Sequence, residues 1–229
     1  MAITNWPALC IGLIVLFYWA RVIKLVLKTK KQTGRAANFL PPELLGRVLR
    51  IIWYPNVAAW VIVPIVCSLH RVQTTGFYLT ETANSEVVLH TFKKAPKAIT
   101  PFWQLQPLEW VAVATAFVVL YLTMICWRKM GKDWRMGIDP SEKNTLIVNG
   151  PYEIVRHPIY ALQCVLALAS FVAVPVPAMA VVAAIQIILL QWEARREERH
   201  MLKVHPDQYG TYMRQVGRFI PRGRYHAPA

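Results

Sequence analysis

Two short groups of residues in this chain are equipped for chemistry. Arg156, His157, Pro158 and Tyr160 form the first, and Glu197-Glu198, with Arg195 and Arg196 just before them, form the second. A guanidinium binds a carboxylate or phosphate through two parallel N–H bonds. Carboxylates accept an ammonium group or sugar hydroxyls, and imidazole exchanges protons near neutral pH. Pro158 suits the first turn of a helix, where its missing N–H costs nothing. The free N–H groups and the positive dipole end there favour an anion. Together the groups offer both partners that a zwitterion such as an amino acid needs, with tyrosines nearby to face a cation or a purine ring. Taken singly, each is ordinary at a membrane edge: an Arg snorkels, and a Glu/Arg run is a solvated helix face. Their meaning depends on the elements that hold them.

Those elements are apolar. The chain has 229 residues, of which 55% are hydrophobic and 17% charged, and the apolar residues come in long runs. Crossing a hydrocarbon core of about 30 Å takes roughly 20 such residues. The runs predict an all-α, polytopic membrane protein with five spans, at residues 7–27, 48–69, 108–127, 158–174 and 177–192. Pro55 and Pro64 lie inside the second, where membrane helices tolerate proline. The last two runs are joined by Pro175-Val176-Pro177, which leaves room only for a tight hairpin. Both are short for a crossing, so the fifth helix is expected to continue past Trp192 into a charged cytoplasmic tail.

The net charge of +14 follows the spans. Segments 21–50, 128–158 and 193–229 hold 22 of the 26 Lys and Arg residues, whereas 70–107 holds four. With five spans the rich segments share one face, which the positive-inside rule makes cytoplasmic, and the N-terminus lies outside. Topology and contact with anionic membrane lipids therefore account for the charge, and nucleic acid is not called for. Segment 70–107 becomes an external loop. The chain divides into an N-terminal transmembrane region, 1–127, and a C-terminal region, 128–229, that carries the chemistry.

The hairpin joins the two groups. Arg156-His157 and Glu197-Glu198 lie at similar distances along the chain from the tip at Val176, about 27–32 Å at 1.5 Å per residue. An antiparallel hairpin places them at one depth, the cytoplasmic interface.

The string GPYEIVRHPIY, an apolar hairpin, EARREERHML and YGTYMRQVGRFIP, in that order, resembles the isoprenylcysteine carboxyl methyltransferase family, which shares this half with phospholipid N-methyltransferases. Arg156, His157, Pro158 and Tyr160 match its Arg-His-Pro-x-Tyr element. Glu197, Glu198 and Arg195 or Arg196 match its Glu-Glu pair with a nearby Arg. Tyr209, Tyr212, Val216, Ile220 and Pro221 match its close. The likeness covers residues 134–221 and departs at Ala161-Leu162, where a glycine is usual. It implies methyl transfer from S-adenosyl-L-methionine, without a Rossmann domain, to a lipophilic acceptor drawn from the bilayer. No GxGxxG is present. Carried over residue by residue, it assigns the cofactor to Gly150, Pro151, Tyr152, His157, Pro158, Tyr160, Glu197, Glu198, Tyr209 and Tyr212. It assigns catalysis to Arg156, Arg195, Arg196 and Glu197.

Methyl transfer from a sulfonium neutralises charge in an in-line displacement, so positioning and water exclusion outweigh strong acid–base groups. A carboxylate acceptor of isoprenylcysteine type needs an Arg to orient it. A phospholipid amine needs a base such as His157 or a Glu. The carboxylate is the first choice and the amine the second. An NADPH-dependent sterol-type reductase shares the Arg-His-Pro-x-Tyr element but is generally longer. A scaffold or transporter is disfavoured because the span centres carry almost no charge.

The remaining signals are weaker. Segment 127–139 is read as a cytoplasmic lid or an aromatic belt, and Trp53, Tyr54 and Trp60 as packing anchors. Gln163 and Cys164 are placed along an acceptor cleft. His200 and His205 are spaced poorly for joint ligation, so no metal is expected. The four cysteines, Cys10, Cys67, Cys126 and Cys164, read as buried thiols.

Overall fold

The computed structural model describes residues 5–33, 44–69, 73–75, 78–80, 106–131, 134 and 146–226. Its helices are α1 Trp6–Thr33, α2 Leu44–Leu69, α3 Gln106–Met130, α4 Pro158–Ala173, α5 Pro177–Val204 and α6 Pro206–Gln215. A 3-10 turn, Gly150–Glu153, precedes α4. The only strands among the described residues are the short β1 Gln73–Thr75 and β2 Tyr78–Thr80, antiparallel with Gln73 opposite Thr80. Both fall in segment 70–107, most of which lies outside the described residues.

Among the described residues four helices are long and apolar enough to cross a membrane: Trp6–Lys31, Gly46–Leu69, Gln106–Met130 and Pro177–Val204. The fourth of the five expected runs forms a shorter apolar helix of 16 residues, about 24 Å long at 1.5 Å per residue, which stops ahead of Val174-Pro175. The fifth helix does run past Trp192, for 28 residues to Val204. α1 likewise continues six residues beyond its apolar run, since its Lys-rich end is made of good helix formers.

The helices carry apolar residues on both sides. Leu13, Phe17, Ile51, Ile62, Phe117, Val118, Leu168 and Ile188 face outward and exposed, as expected where lipid is the solvent. The inward faces are richer in small residues, including Ala112 and Ala116 on α3 and Ala167, Ala169 and Ala173 on α4, which let backbones approach closely. α3 packs most extensively on α4, α1 packs on α2, and α5 packs on both α4 and α2. At Gly12 the α1–α2 approach is so close that a Cβ would stand 2.7 Å from Ile65 Cγ1. Trp53 and Trp60 are buried in this core, as expected of packing residues.

A few buried hydrogen bonds fix how α2 sits against the last two helices. Trp60 Nε1 donates to Ser170 Oγ at 2.9 Å. Asn56 Nδ2 donates to Gln186 Oε1 at 3.1 Å and to the Val182 carbonyl at 3.3 Å. Interhelical bonds of this kind contribute about 1 kcal/mol in a membrane. Asn56→Ala is expected to cost roughly that much, read as a lower Tm in detergent with helix content unchanged. Cys10, Cys67, Cys126 and Cys164 are all free thiols.

Candidate active site between α4, α5 and the C-terminal tail

The turn at 174–176 sends α5 back along α4, and the two chemical groups meet at the far end. Glu198, 3% exposed, is the centre. Arg156 reaches its Oε1 through Nε at 3.0 Å and Nη2 at 2.7 Å. Arg218 brackets both its oxygens, Nε to Oε1 at 2.9 Å and Nη2 to Oε2 at 2.6 Å. His157 Nε2 lies 3.3 Å from the same Oε1. Arg156 also donates through Nη1 to the carbonyls of Met213, at 3.2 Å, and Val216.

His157 stands between two carboxylates. Its Nδ1 is 3.3 Å from Glu197 Oε2, opposite the contact to Glu198. Only the doubly protonated ring can donate to both. Burial opposes that charge, but the bonds to Glu197 and Glu198 outweigh it, and the pKa rises above its ordinary 6.5. A raised folded value makes the contribution to stability complete below pH 6.5, and it is lost as pH climbs through the folded value. The Tm of the solubilised protein should therefore fall as pH rises above 6.5, and His157→Gln should flatten that dependence.

Glu197 keeps one side open. Its Oε1 accepts the Tyr160 hydroxyl at 2.5 Å, while its side chain remains 26% exposed. The Tyr160 ring lies parallel to His157 with centroids 5.5 Å apart, and Phe219 closes on His157 edge-on. One turn earlier on α5, buried Glu193 holds Arg196 at 2.7 Å and lies 3.9 Å from Arg50 of α2, whose guanidinium covers the Trp53 ring.

The C-terminal tail closes the site. After α6, Val216–Tyr225 runs beside residues 153–157. Val155 and Gly217 form a parallel bridge, Arg156 N–H donates to the Gly217 carbonyl at 2.9 Å, and His157 N–H donates to that of Arg218 at 3.1 Å. Tyr225 N–H donates to the Glu153 carbonyl at 3.1 Å. Gly150 has φ +67°, a conformation suited to glycine, and its N–H caps Glu153 Oε1 at 2.9 Å. That bond, and then Arg224 at 2.9 Å, hold the Glu153 carboxyl below the usual range. Tyr209, Tyr212 and Val216 form a small core with Leu146, Val148, Met201, Met213 and Tyr225. The Tyr212 hydroxyl donates to the Tyr152 carbonyl at 2.5 Å. Burial pushes the phenols of Tyr152, Tyr209 and Tyr212 up, so all three stay neutral.

The structure thus gathers Arg156, His157, Pro158, Tyr160, Glu197 and Glu198 at one point, with Gly150, Pro151 and Tyr152 in the 3-10 turn before α4 and Tyr209 and Tyr212 on α6 beside it. Arg196 is buried on Glu193, while Arg195 beside it is exposed. The Arg156 guanidinium is bonded to Glu198 and to two tail carbonyls. Three contributors were missed. Arg218 sits in VGRFIP, quoted for its ends alone. Gly217 beside it would bring a Cβ to 1.9 Å from the Ile220 carbonyl oxygen, a requirement of the folded tail. Arg50 is over a hundred positions from its partner, with no local signal. Trp127 and Trp134 are buried in the bundle, which makes them packing residues; most of the rest of the supposed lid, and Asp139, lie outside the described residues. Gln163 is buried and Cys164 half-buried. Among the described residues no three His, Cys, Asp or Glu side chains converge as a metal site would require.

Residues 108–208 match the phospholipid methyltransferase family. This is a family of membrane methyltransferases related to the isoprenylcysteine carboxyl methyltransferases that the sequence resembles. The phospholipid methyltransferase region runs from α3 into the first turn of α6, and so contains both chemical groups. Arg50, Gly217 and Arg218 lie outside it. No curated protein and no solved structure matches the chain.

Proposed function

We propose that this chain transfers a methyl group from S-adenosylmethionine to a lipophilic acceptor at the cytoplasmic face of a membrane. Supporting this reading is one observation: the Arg-His-Pro-x-Tyr and Glu-Glu elements, 37 to 42 positions apart, share hydrogen bonds inside a phospholipid methyltransferase region. In this reading the N-terminus lies outside, α4 completes a fifth crossing by pairing with α5, and the basic segments lie in the cytoplasm.

The residues present suit the donor. It carries an ammonium group and ribose hydroxyls, and Glu197 offers a partly exposed carboxylate already oriented by Tyr160 and His157. The backbone of Gly150, Pro151 and Tyr152 would line the same side, with Tyr209 and Tyr212 holding that turn in place. Pro158 opens α4 beneath His157. When bound, the donor supplies an electrophilic methyl group on sulfur. Arg156 and Glu198 then act by fixing the tail over the site and excluding water, which is what such a displacement needs.

Two acceptors fit. One is a phospholipid amine, which would give its proton to Glu197. The arginines of α5, Arg195 and Arg196, favour a carboxylate of isoprenylcysteine type, which they would orient. Calorimetry on the solubilised protein should show binding of S-adenosylmethionine and of its demethylated product. Tight NADPH binding with neither of these would overturn the reading. Labelled donor with N-acetyl-S-farnesylcysteine or with phosphatidylethanolamine nanodiscs should then yield a base-labile methyl ester or a stable methylamine.

A further inference from the structure

We propose that a cavity on α5, lined by Trp192, Arg195, Arg196 and Arg199, binds the oxyanion of an anionic lipid head group at the membrane surface. This does not rest on the methyltransferase reading. The cavity measures about 110 Å³, enough for a phosphate or carboxylate group. At 100° per residue its four side chains occupy about 100° of the helix surface, so three guanidiniums converge on one face.

Two of the three are held in place. Arg196, 8% exposed, is fixed through Nη1 to Glu193. Arg199 donates Nε to the Arg195 carbonyl at 3.3 Å, which orients its fork. Among the described residues no carboxylate pairs with the Arg195 or Arg199 side chain. Both are exposed, and Trp192, 46% exposed, stands at the apolar end of the cluster. An indole at that level sits at the boundary of hydrocarbon and head groups, and guanidiniums a turn further along meet the charged part of a lipid. A free anion would have no use for the indole.

The test uses the full chain in a neutral detergent, without donor. Binding of dihexanoyl phosphatidylglycerol, N-acetyl-S-farnesylcysteine, neutral dioctanoylglycerol and inorganic phosphate is followed by native mass spectrometry and thermophoresis. One or both of the anionic lipids should bind, and the neutral lipid should not; which anion binds tighter identifies phosphate or carboxylate as the natural group. Arg199→Gln should weaken that binding about tenfold, and Arg195→Gln with it about a hundredfold, with Arg→Lys at both positions restoring only part. Both side chains are exposed, so the variants should fold, checked by Tm. Unchanged lipid binding in the double variant, binding of inorganic phosphate alone, or a loss of donor affinity without a loss of lipid affinity would each overturn the proposal. Failure of the methyltransferase reading shows separately, as absent donor binding with lipid binding intact.

Discussion

Glu198→Ala should detach the C-terminal tail and cost about 3–5 kcal/mol, the usual penalty for stranding buried charges by removing their partner. One carboxylate serves Arg156, Arg218 and His157, and the first and last of these are nearly excluded from solvent. Without it Arg156 keeps only the Met213 and Val216 carbonyls, and His157 keeps Glu197 alone. The expected observations are a much lower Tm, rapid proteolysis after α6, and loss of donor binding. Glu198→Gln should be intermediate, because an amide oxygen can still accept from one guanidinium but brings no charge. A Glu198→Ala protein with the wild-type Tm and a protected tail would show that the network contributes little to stability.

Gly217→Ala is expected to be nearly as damaging for a different reason. A methyl group there would lie 1.9 Å from the Ile220 carbonyl oxygen and 3.1 Å from its carbon. Both are backbone atoms, so the turn at 217–220 must open. Opening it displaces the carbonyls of Gly217 and Arg218 from the Arg156 and His157 N–H groups, and moves the Arg218 fork away from Glu198. A cost of about 3 kcal/mol is expected, with donor affinity falling more than a hundredfold while the membrane helices stay folded. Gly223→Ala is a useful contrast, since its nearest neighbour would be the Gln215 carbonyl oxygen at 3.1 Å and a small shift relieves it. Equal behaviour of the two variants would count against the turn's role.

How much of this is legible in the sequence depends on the range of each interaction. Helices announce themselves through local apolar runs, so α1, α2, α3 and α5 are found, although α1 runs six residues and α5 twelve residues past the apolar stretch that marks it. The meeting of Arg156-His157 with Glu197-Glu198 follows from counting residues to the Pro-Val-Pro turn. The end of α4 is less legible, because apolar composition continues through Val174 while the helix stops at Ala173. The partners of Arg156 are not legible, because an Arg beside a helix start looks the same whether its anion comes from a ligand or from the protein. Deciding between them requires knowing that α6 turns the tail back across residues 153–157, and that return is set by Tyr209, Tyr212 and Val216 packing on Leu146 and Val148. Arg50 illustrates the extreme: its pairing with Glu193 exists only once α2 has docked on α5.

The tail that crosses residues 153–157 also sets an order of events during synthesis. Every apolar helix leaves the ribosome before Val216–Tyr225 does, so the bundle can insert and pack while Arg156 still lacks its closing partners. Completion of the site is then a late, post-insertion step, driven by a basic, water-exposed strand finding a carboxylate already waiting at the membrane surface. A ribosome stalled with residue 205 at its exit should hold an inserted but open protein, and release should close it.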